Sequence, residues 1–364
     1  MSDLSQQTFD EVFSDSPSTP PQAPQPPHKR RRWLIVLGVL GTLVVLMAGS
    51  GYYVYNNTVS SWNRNIQRFG DPFQAIPQTA RPTADPTSGP AMNILLMGSD
   101  SRVSAGNPKS WTAGEQRSDA LMIFHVAADR QSAYVISIPR DSWVAIPGHG
   151  KAKINAAFSW GGPPLVVQTV ESLTGVRIDH LAIIDFEGFK EVTDALGGVS
   201  ITIPQTTHDM RAEFKAGTYT MNGADALNYV RQRYNLPGGD FDRVKRQQNW
   251  IRAVVAKLMS AGTLSDPFKL NNAMNALTKT LEVDNAFTFG VMKDLAVSSR
   301  NLRSDNVKFL TVPVAGTGWS PDHQQSIVNL APAADASLWQ AIRKDQVGEW
   351  MSTHNPDELG TIVR

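Results

Sequence analysis

The feature that most constrains this chain is a run of residues without charge, from Trp33 to Tyr55. A run of that length matches the ~20 residues that an α-helix needs to cross a bilayer. Four basic residues precede it directly: Lys29, Arg30, Arg31 and Arg32. Because basic flanks stay in the cytoplasm, we expect a single-pass anchor in the cell membrane, with the N-terminus inside and the later residues outside. The alternative is a cleaved secretory signal, but the run is long for one and has no clear A-x-A site.

Composition divides the rest of the chain into four segments. Residues 1–32 are rich in Pro, Gln and Ser, and we expect a disordered cytoplasmic tail there. Residues 56–90 are polar and contain several prolines, which predicts a partly extended extracytoplasmic linker that lifts the domain off the membrane. Residues 91–316 are predicted to form the folded domain. Residues 317–364 are too few for an ordinary independent domain and are predicted to be a C-terminal appendage.

Short apolar runs alternate with helical patterns through the predicted domain. The runs predicted to be strands are Asn93–Met97, Ala120–Val126, Ala133–Ile138, Leu181–Ile184, Val199–Ile203 and Val307–Val312. Helices are predicted at Pro163–Gly175, Phe186–Leu196, Gly223–Val230, Asp240–Ser260, Pro267–Leu281, Phe287–Ser298 and Ala334–Arg343. This alternation predicts an α/β fold with a mixed sheet covered by helices.

Several classes of protein are excluded by what the sequence lacks. It has no Cys, which excludes cysteine nucleophiles, thiolate metal sites and disulfides. A formal net charge of +1 gives no general signature of nucleic-acid binding, so an anionic partner must meet local clusters of Arg and Lys. Gly148, Gly150 and Lys151 resemble part of a P-loop. The motif requires Gly at position 145 and Ser or Thr at position 152, and both positions are Ala here. The His residues that we expect to be ordinary packed or surface residues are His125, His149 and His180.

Polar residues lie where the first predicted strand ends and the second begins. The first is followed by the sequence GSDSR, which contains Asp100, and the second is preceded by RSD, which contains Asp119. If the two strands pair antiparallel, these carboxylates approach each other at one edge of the sheet. Mg²⁺ takes one or two protein carboxylates and completes its shell with water and phosphate oxygens, so the pair could hold it. The alternative is that each Asp is a turn or cap residue.

The third predicted strand runs into the sequence SIPRD, whose last two residues are Arg140 and Asp141. Lys151 and Lys153 follow in a glycine-rich stretch. Lys153 either donates hydrogen bonds to a bound phosphate or is a solvated surface residue, and the sequence leaves both interpretations open.

A third polar sequence, RQR, contains Arg231 and Arg233. Residues two apart in an extended segment point the same way, so these residues would present two guanidinium groups to one target. Guanidinium groups match phosphate oxygens in geometry and charge. The sequence therefore indicates a site for a phosphorylated ligand.

The helix predicted after Gly239 adds polar residues to its inward side. At roughly 100° per residue, Asp240, Arg243 and Gln247 share that side with apolar residues. The polar residues predicted for its outer face are Lys245, Arg246 and Asn249. A buried charge without a partner is costly, so Arg243 should meet either a ligand or, in the alternative, Asp240 in an internal ion pair. Several Arg, Lys and Asp beside an apolar interior fit a pyrophosphate with a metal ion and a polyprenyl tail.

The motifs NILLMGSDSR, RSDALMIFHV, VISIPRD, KINAAF, MNGADALNYVRQRY and GDFDRVKRQQ together resemble the LytR-CpsA-Psr family over about Met92–Ser260. The resemblance implies a mixed central β-sheet covered by helices on both faces, preceded by one transmembrane helix. It also implies a catalytic domain at residues 91–316 that transfers a glycopolymer from a polyprenyl-pyrophosphate carrier to peptidoglycan. The alternative is a non-catalytic, membrane-anchored module that binds polyprenyl pyrophosphate and regulates or scaffolds cell-wall synthesis. A pyrophosphate-releasing hydrolase is a third possibility.

The same resemblance implies the site residues. Asp100 and Asp119 are similar to the family's metal pair, which would hold Mg²⁺ or Mn²⁺. The implied pyrophosphate-binding residues are Arg102, Arg117, Arg140, Lys153, Arg231, Arg233, Asp240, Arg243 and Gln247. The implied catalytic residues are Asp100, Asp119, Arg140, Arg231 and Arg233. Many relatives carry an additional C-terminal domain, and we expect none here because residues 317–364 are too few to form it.

Overall fold

The computed structural model of the chain describes residues 56–99, 118–210 and 212–363. Its strands are β1 (Gln67–Arg68), β2 (Met92–Ser99), β3 (Ser118–Val126), β4 (Ala133–Ser137), β5 (Trp143–Ile146), β6 (Gly150–Lys153), β7 (His180–Asp185), β8 (Val199–Ile203), β9 (Thr207–His208), β10 (Glu213–Phe214), β11 (Gly217–Met221), β12 (Leu281–Val283), β13 (Val307–Thr311), β14 (Val314–Trp319), β15 (Ser326–Leu330) and β16 (Asp357–Glu358).

Its α-helices are α1 (residues 56–65), α2 (Ala156–Thr174), α3 (Phe186–Ala195), α4 (Gly223–Arg231), α5 (Asp240–Leu258), α6 (Ala261–Leu264), α7 (Pro267–Thr280), α8 (Phe289–Ser298), α9 (Pro332–Arg343) and α10 (Val347–Thr353). None of the helices among the described residues is both long and apolar enough to cross a membrane. The predicted tail and anchor, residues 1–32 and 33–55, lie outside the described residues.

Eight strands form one mixed sheet, in the order β1-β12-β7-β2-β3-β4-β13-β16. β2 pairs antiparallel with β3 and parallel with β7. β4 pairs antiparallel with β3 and parallel with β13. The predicted mixed central sheet is therefore confirmed, and the late strand β13 rejoins it. β8 lies outside this sheet and pairs with β11.

Both faces of the sheet are buried. Successive residues of a strand point to opposite sides, so neighbouring residues of one strand lie in different buried clusters. On β2, Leu95 belongs to a buried cluster that includes Val166 of α2 and Leu338 of α9. Its neighbour Ile94 belongs to a cluster on the other face that includes Phe289 of α8. Helices α2, α9 and α10 therefore cover one face, and α1, α5 and α8 cover the other.

Helix α2 begins earlier than its prolines predict. It starts at Ala156 and is kinked where Gly162, at φ 61°, precedes Pro163. Proline lacks the N–H that continues a helical hydrogen-bond ladder, so the predicted start is the start of the second helical piece. Gly175 ends the helix in the left-handed conformation, at φ 63°, as predicted.

Residues 66–81 do not form the polar spacer that the composition of residues 56–90 predicts. Ile66, Phe69 and Ile76 are buried in the clusters that cover the sheet, and β1 pairs with β12 at the sheet edge. Arg81 forms an ion pair with Glu171 of α2, with 2.7 Å between Nη2 and Oε1. The prolines of this segment separate apolar residues that contribute to the core of the domain.

The predicted appendage, residues 317–364, also packs into the domain. The predicted boundary falls inside β14, which pairs with β15. Leu338 and Ile342 of α9 lie in the main buried cluster, and β16 pairs with β13. The segment is too short for an independent domain, but a short segment can share an existing core.

Candidate functional site

The end of β2, the end of β7 and the start of β3 meet at one edge of the sheet. Ser99 pairs with Ser118, which directly precedes Asp119. Ser99 also pairs with Asp185 at the end of β7. The antiparallel pairing of β2 and β3 is thus as predicted, and it brings Asp119 and Asp185 to the same edge. Three predicted site residues lie outside the described residues: Asp100, Arg102 and Arg117.

A cavity of about 400 Å³ lies beside this edge. Its polar lining residues are Asp119, Arg140, Asp185, Arg231, Arg233, Arg243 and Gln247. Its apolar wall includes Phe186, Phe189, Leu227, Trp250, Val254 and Leu277. One cavity therefore joins a cluster of guanidinium groups to an apolar surface, as the sequence predicted.

Arg140 and Asp119 form the part of the polar wall nearest the sheet edge. Arg140 donates a hydrogen bond from Nη1 to Asp119 Oδ1, and Gln247 Nε2 donates to the main-chain oxygen of Asp119 at 3.4 Å. Arg140 Nε is buried, and no described residue accepts a hydrogen bond from it. A buried donor without an acceptor costs about 1–3 kcal/mol. This N–H is therefore suited to an oxygen of a bound ligand.

Lys153 is not among the described residues that line the cavity. Its Nζ lies 3.1 Å from Asp141 Oδ1, and Asp141 directly follows Arg140. The ammonium group thus neutralises a carboxylate next to the cavity. The predicted contact between Lys153 and pyrophosphate stays a prediction.

Arg243 is the most deeply buried arginine of the cavity wall. Its Nη2 lies 2.9 Å from Asp240 Oδ1, so the internal ion pair considered for these residues is present. Burial lowers the pKa of Arg243 from its ordinary value to about 10, an effect that Asp240 opposes and Arg140 reinforces. Its Nε is buried with no acceptor among the described residues. Asp240 is not among the described lining residues, and it holds Arg243 instead.

Arg231 and Arg233 both line the cavity, although their segment is not extended throughout. Arg231 is the last residue of α4, and Gln232 follows it in an extended conformation, at φ −61° and ψ 132°. Arg231 Cζ lies 4.4 Å from the centre of the Phe186 ring. Arg233 Nε lies 3.8 Å from Asp240 Oδ1. The two guanidinium groups face one cavity, as predicted.

The outer face predicted for α5 is wrong for Arg246 and Asn249, which are buried. Arg246 donates to Gln232 Oε1 at 2.6 Å, and Asn249 donates to the Tyr229 hydroxyl at 3.0 Å. Helix α5 packs on more than one side. Polar residues beside its apolar stripe are therefore buried as well, with partners from other segments.

Sequence reasoning missed Asp185, which lines the cavity. Its Oδ1 accepts a hydrogen bond from the Gly188 N–H at 2.6 Å and so caps the first turn of α3. An Asp between an apolar run and a helical pattern is typical of a helix N-cap. Together with its position at a strand end, that signal could have identified it.

The described residues are compatible with a metal ion but do not by themselves build a site for one. No group of three or more His, Asp or Glu residues in the described part of the chain could hold a metal. Mg²⁺ needs only one or two carboxylates when phosphate and water supply the rest. Asp119 fits that role, although Arg140 already binds one of its oxygens. The Asp100–Asp119 pair stays a prediction.

Comparisons with known proteins agree on one family for this chain. A sequence model of the LytR_cpsA_psr family matches residues 53–338. The cell wall biosynthesis protein LcpA of Corynebacterium glutamicum is 31% identical, with 86% of this chain and 65% of LcpA aligned. The polyisoprenyl-teichoic acid–peptidoglycan teichoic acid transferase TagU of Bacillus cereus is 34% identical, with 64% of this chain and 73% of TagU aligned. The chain spans 65% of LcpA and 64% of LcpB, a protein of the same species.

Solved structures share the fold. The crystal structure of B. subtilis TagV superposes with a TM-score of 0.58 at 26% identity, covering 70% of this chain and 97% of TagV. A LytR-Csp2A-Psr enzyme from Actinomyces oris superposes with a TM-score of 0.59 at 20% identity, covering 76% of this chain and 95% of that enzyme. The mixed α/β arrangement is therefore common to this chain and to both proteins.

Proposed function

The chain belongs to the LytR-CpsA-Psr family, and from this premise we propose that it is a phosphotransferase that moves a glycopolymer from a polyprenyl-pyrophosphate carrier to peptidoglycan. The observation that carries the proposal is the cavity in which four Arg side chains adjoin an apolar wall. Guanidinium groups suit the pyrophosphate, and the apolar wall suits the polyprenyl chain. The relative TagU carries the name of a transferase of this kind.

Electrostatics support an anionic ligand. The described lining contains four Arg against two Asp, so its formal charge is opposite in sign to that of a pyrophosphate. The buried Nε groups of Arg140 and Arg243 have no acceptor among the described residues. Phosphate oxygens would supply those acceptors, and hydrogen bonds between charged partners contribute about 1.5–3 kcal/mol each.

In the proposed reaction, the oxygen of an acceptor hydroxyl on peptidoglycan forms a bond to the phosphorus nearest the glycan. The bond from that phosphorus to the bridging oxygen breaks, and polyprenyl phosphate leaves with the bonding electron pair. The hydroxyl proton passes to water, and a phosphodiester joins the glycopolymer to peptidoglycan. In phosphoryl transfer the protein mainly positions the phosphates and neutralises charge on their oxygens. Arg140, Arg231 and Arg233 would do this here, with Arg243 and Gln247 completing the wall.

A divalent ion, Mg²⁺ or Mn²⁺, is part of the proposal. Asp119 and Asp100 would hold it, and phosphate oxygens and water would complete its shell. When bound, the ion would supply further neutralisation of the pyrophosphate charge. Arg102 and Arg117 would add pyrophosphate contacts from the part of the chain outside the described residues.

We also propose that residues 33–55 anchor the chain in the cell membrane, with the N-terminus in the cytoplasm and the domain outside. The support is the lack of charge in that run and the basic cluster before it. In the proposed reaction, the lipid-linked substrate and the peptidoglycan acceptor would both meet the domain on that side of the membrane.

The test is the release of polyprenyl phosphate from a lipid-linked glycan by the full chain, with a peptidoglycan acceptor present. Asp119→Asn removes the charge that would attract the ion and hardly changes the size of the side chain. We expect transfer to fall by about a hundredfold or more while lipid binding is largely retained, because metal neutralisation acts mainly in the transition state. The matched control is Asp294→Asn, at an exposed position of α8, which should transfer normally.

Each other outcome selects a different function. A wild-type chain that binds the lipid but transfers to no wall acceptor would be the non-catalytic binding module. Release of polyprenyl phosphate without any acceptor would indicate a hydrolase. Normal transfer by Asp119→Asn and by metal-free wild type would show that the metal assignment is wrong.

A further inference from the structure

Helix α5 carries two buried arginines that have different surroundings. Arg243 lines the cavity, whereas Arg246, three residues later, is not among the described lining residues. Arg246 is nevertheless 0% exposed. Three residues of a helix turn through roughly 300°, so the two side chains leave α5 on adjacent sides. Arg246 therefore points beside the cavity wall, toward the segment that carries Arg231 and Arg233.

The partners of Arg246 come from two other segments of the chain. Its Nη1 donates to Gln232 Oε1 at 2.6 Å, and its Nη2 donates to Thr207 Oγ1 at 3.1 Å. Its Cζ lies 4.5 Å from the centre of the Tyr229 ring. Gln232, Thr207 and Tyr229 are all buried. A buried guanidinium group is expensive to desolvate, so a well-bonded network of this kind fixes its members in place.

Gln232 stands between the two arginines that face the cavity. Its Oε1 accepts from Arg246 Nη1 at 2.6 Å and from the Thr207 hydroxyl at 3.1 Å, and its Nε2 donates to the Tyr234 main-chain oxygen at 3.2 Å. Its main-chain N–H donates to the Asn228 oxygen at 3.1 Å. Gln232 is the extended residue that caps the C-terminal end of α4. Its side chain is turned toward Arg246, whereas Arg231 and Arg233, its neighbours on either side, line the cavity.

Arg233 has Asp240 as the nearest partner of its side chain among the described residues. Its side chain is 45% exposed, and its Nε lies 3.8 Å from Asp240 Oδ1, too far for a hydrogen bond. A long side chain at an exposed position loses rotamer freedom when it binds a ligand. A fixed backbone on both sides of Arg233 reduces the conformational freedom that binding must remove.

We propose that Arg246 is a positioning residue: by holding Gln232, it keeps Arg231 and Arg233 on the cavity wall. The inference rests on the proposed function, in which these two arginines contact the pyrophosphate. Arg246 itself acts through residues 231–233 and does not contact the ligand.

The experiment measures binding of inorganic pyrophosphate to the full chain by calorimetry, without divalent ions, so that it is independent of the metal assignment. Arg246→Met removes the charge and both hydrogen bonds. The matched control is Arg252→Met on the same helix, since Arg252 donates instead to Asn249 Oδ1 at 2.6 Å and to the Gly360 oxygen at 2.7 Å. Both variants should lower the unfolding midpoint. Only Arg246→Met should weaken binding, by about tenfold or about 1.4 kcal/mol.

A double-mutant cycle separates positioning from general destabilisation. Arg233→Ala should weaken binding strongly in the wild type and much less in Arg246→Met, because a misplaced Arg233 has less affinity to lose. If Arg246→Met does not fold, Gln232→Leu cuts the same link from the other side and should show the same coupling. Additive losses, or unchanged affinity in a folded variant, would overturn the inference. A wild type that binds pyrophosphate but transfers no glycan would overturn only the proposed function, and one that binds no pyrophosphate would overturn both.

Discussion

Replacing Arg81 by Met should destabilise the whole domain, because Arg81 neutralises a buried carboxylate. Glu171 of α2 is 1% exposed. Arg81 donates to both of its oxygens, from Nη2 at 2.7 Å and from Nε at 3.1 Å. The same Nη2 donates to the Ile178 oxygen at 2.6 Å, and the guanidinium carbon lies 4.3 Å from the centre of the Phe73 ring. Few ion pairs in the described part of the chain are this thoroughly enclosed.

Removing one partner of a buried ion pair leaves an uncompensated charge, which costs about 3–5 kcal/mol. Glu171 keeps one hydrogen bond, from the Ile178 N–H at 3.0 Å, which favours the lower part of that range. We therefore expect a loss of about 3 kcal/mol for Arg81→Met. Adding Glu171→Met should recover most of it, because replacing both partners with apolar side chains removes the unpaired charge.

The assay is equilibrium unfolding of the full chain in urea, followed by tryptophan fluorescence, with the denaturant slope compared between variants. The matched control is Lys269→Met. Lys269 is 66% exposed and lies 3.4 Å from Asp266, and exposed pairs of this kind contribute at most about 1 kcal/mol. A loss below about 1 kcal/mol for Arg81→Met would refute the reasoning.

Arg231→Ala combined with Arg233→Ala should abolish calorimetric binding of pyrophosphate with only a modest loss of stability, since each charged contact contributes about 1.5–3 kcal/mol; unchanged affinity or an unfolded variant would contradict the binding role. Burial raises the pKa of Asp335 from 3.8 to about 6, so the unfolded chain ionises this carboxyl group before the folded chain does, and stability falls as the pH rises from 3.8 to about 6. Asp335→Asn should flatten the fall of the urea midpoint over that range, and a profile like that of the wild type would disprove the assignment. Leu277→Trp should fill part of the apolar wall and weaken binding of polyprenyl pyrophosphate but not of inorganic pyrophosphate; equal lipid affinity would place the tail elsewhere.

The central sheet was predictable because its strands are short apolar runs with polar ends. β2 and β3 carry enough apolar residues on both faces to be recognised without knowledge of their neighbours. Once their antiparallel pairing was assumed, the position of Asp119 at the sheet edge followed. The inward direction of Arg243 followed equally from helical periodicity alone.

Contacts between distant segments were not predictable in the same way. Arg81 and Glu171 are 90 positions apart, and neither belongs to a motif. Ile66 and Phe69 lie among polar residues and prolines, so average composition assigned their segment to a linker. Composition reports the mean polarity of a segment, whereas burial depends on a few apolar side chains at suitable spacing.

Helix α5 shows where periodicity stops being informative. A helical wheel states which residues share a side, but it does not state how many sides are covered by the rest of the protein. Helical periodicity assigned Arg246 to the outer face, yet its acceptors lie 14 and 39 positions earlier, at Gln232 and Thr207. The acceptor at Gln232 lies between two arginines that had already been assigned to the site. A charged residue beside the inward stripe of a helix in the site is therefore a candidate for supporting that site. Its partner should be sought among the polar residues that lie between two site residues in the sequence.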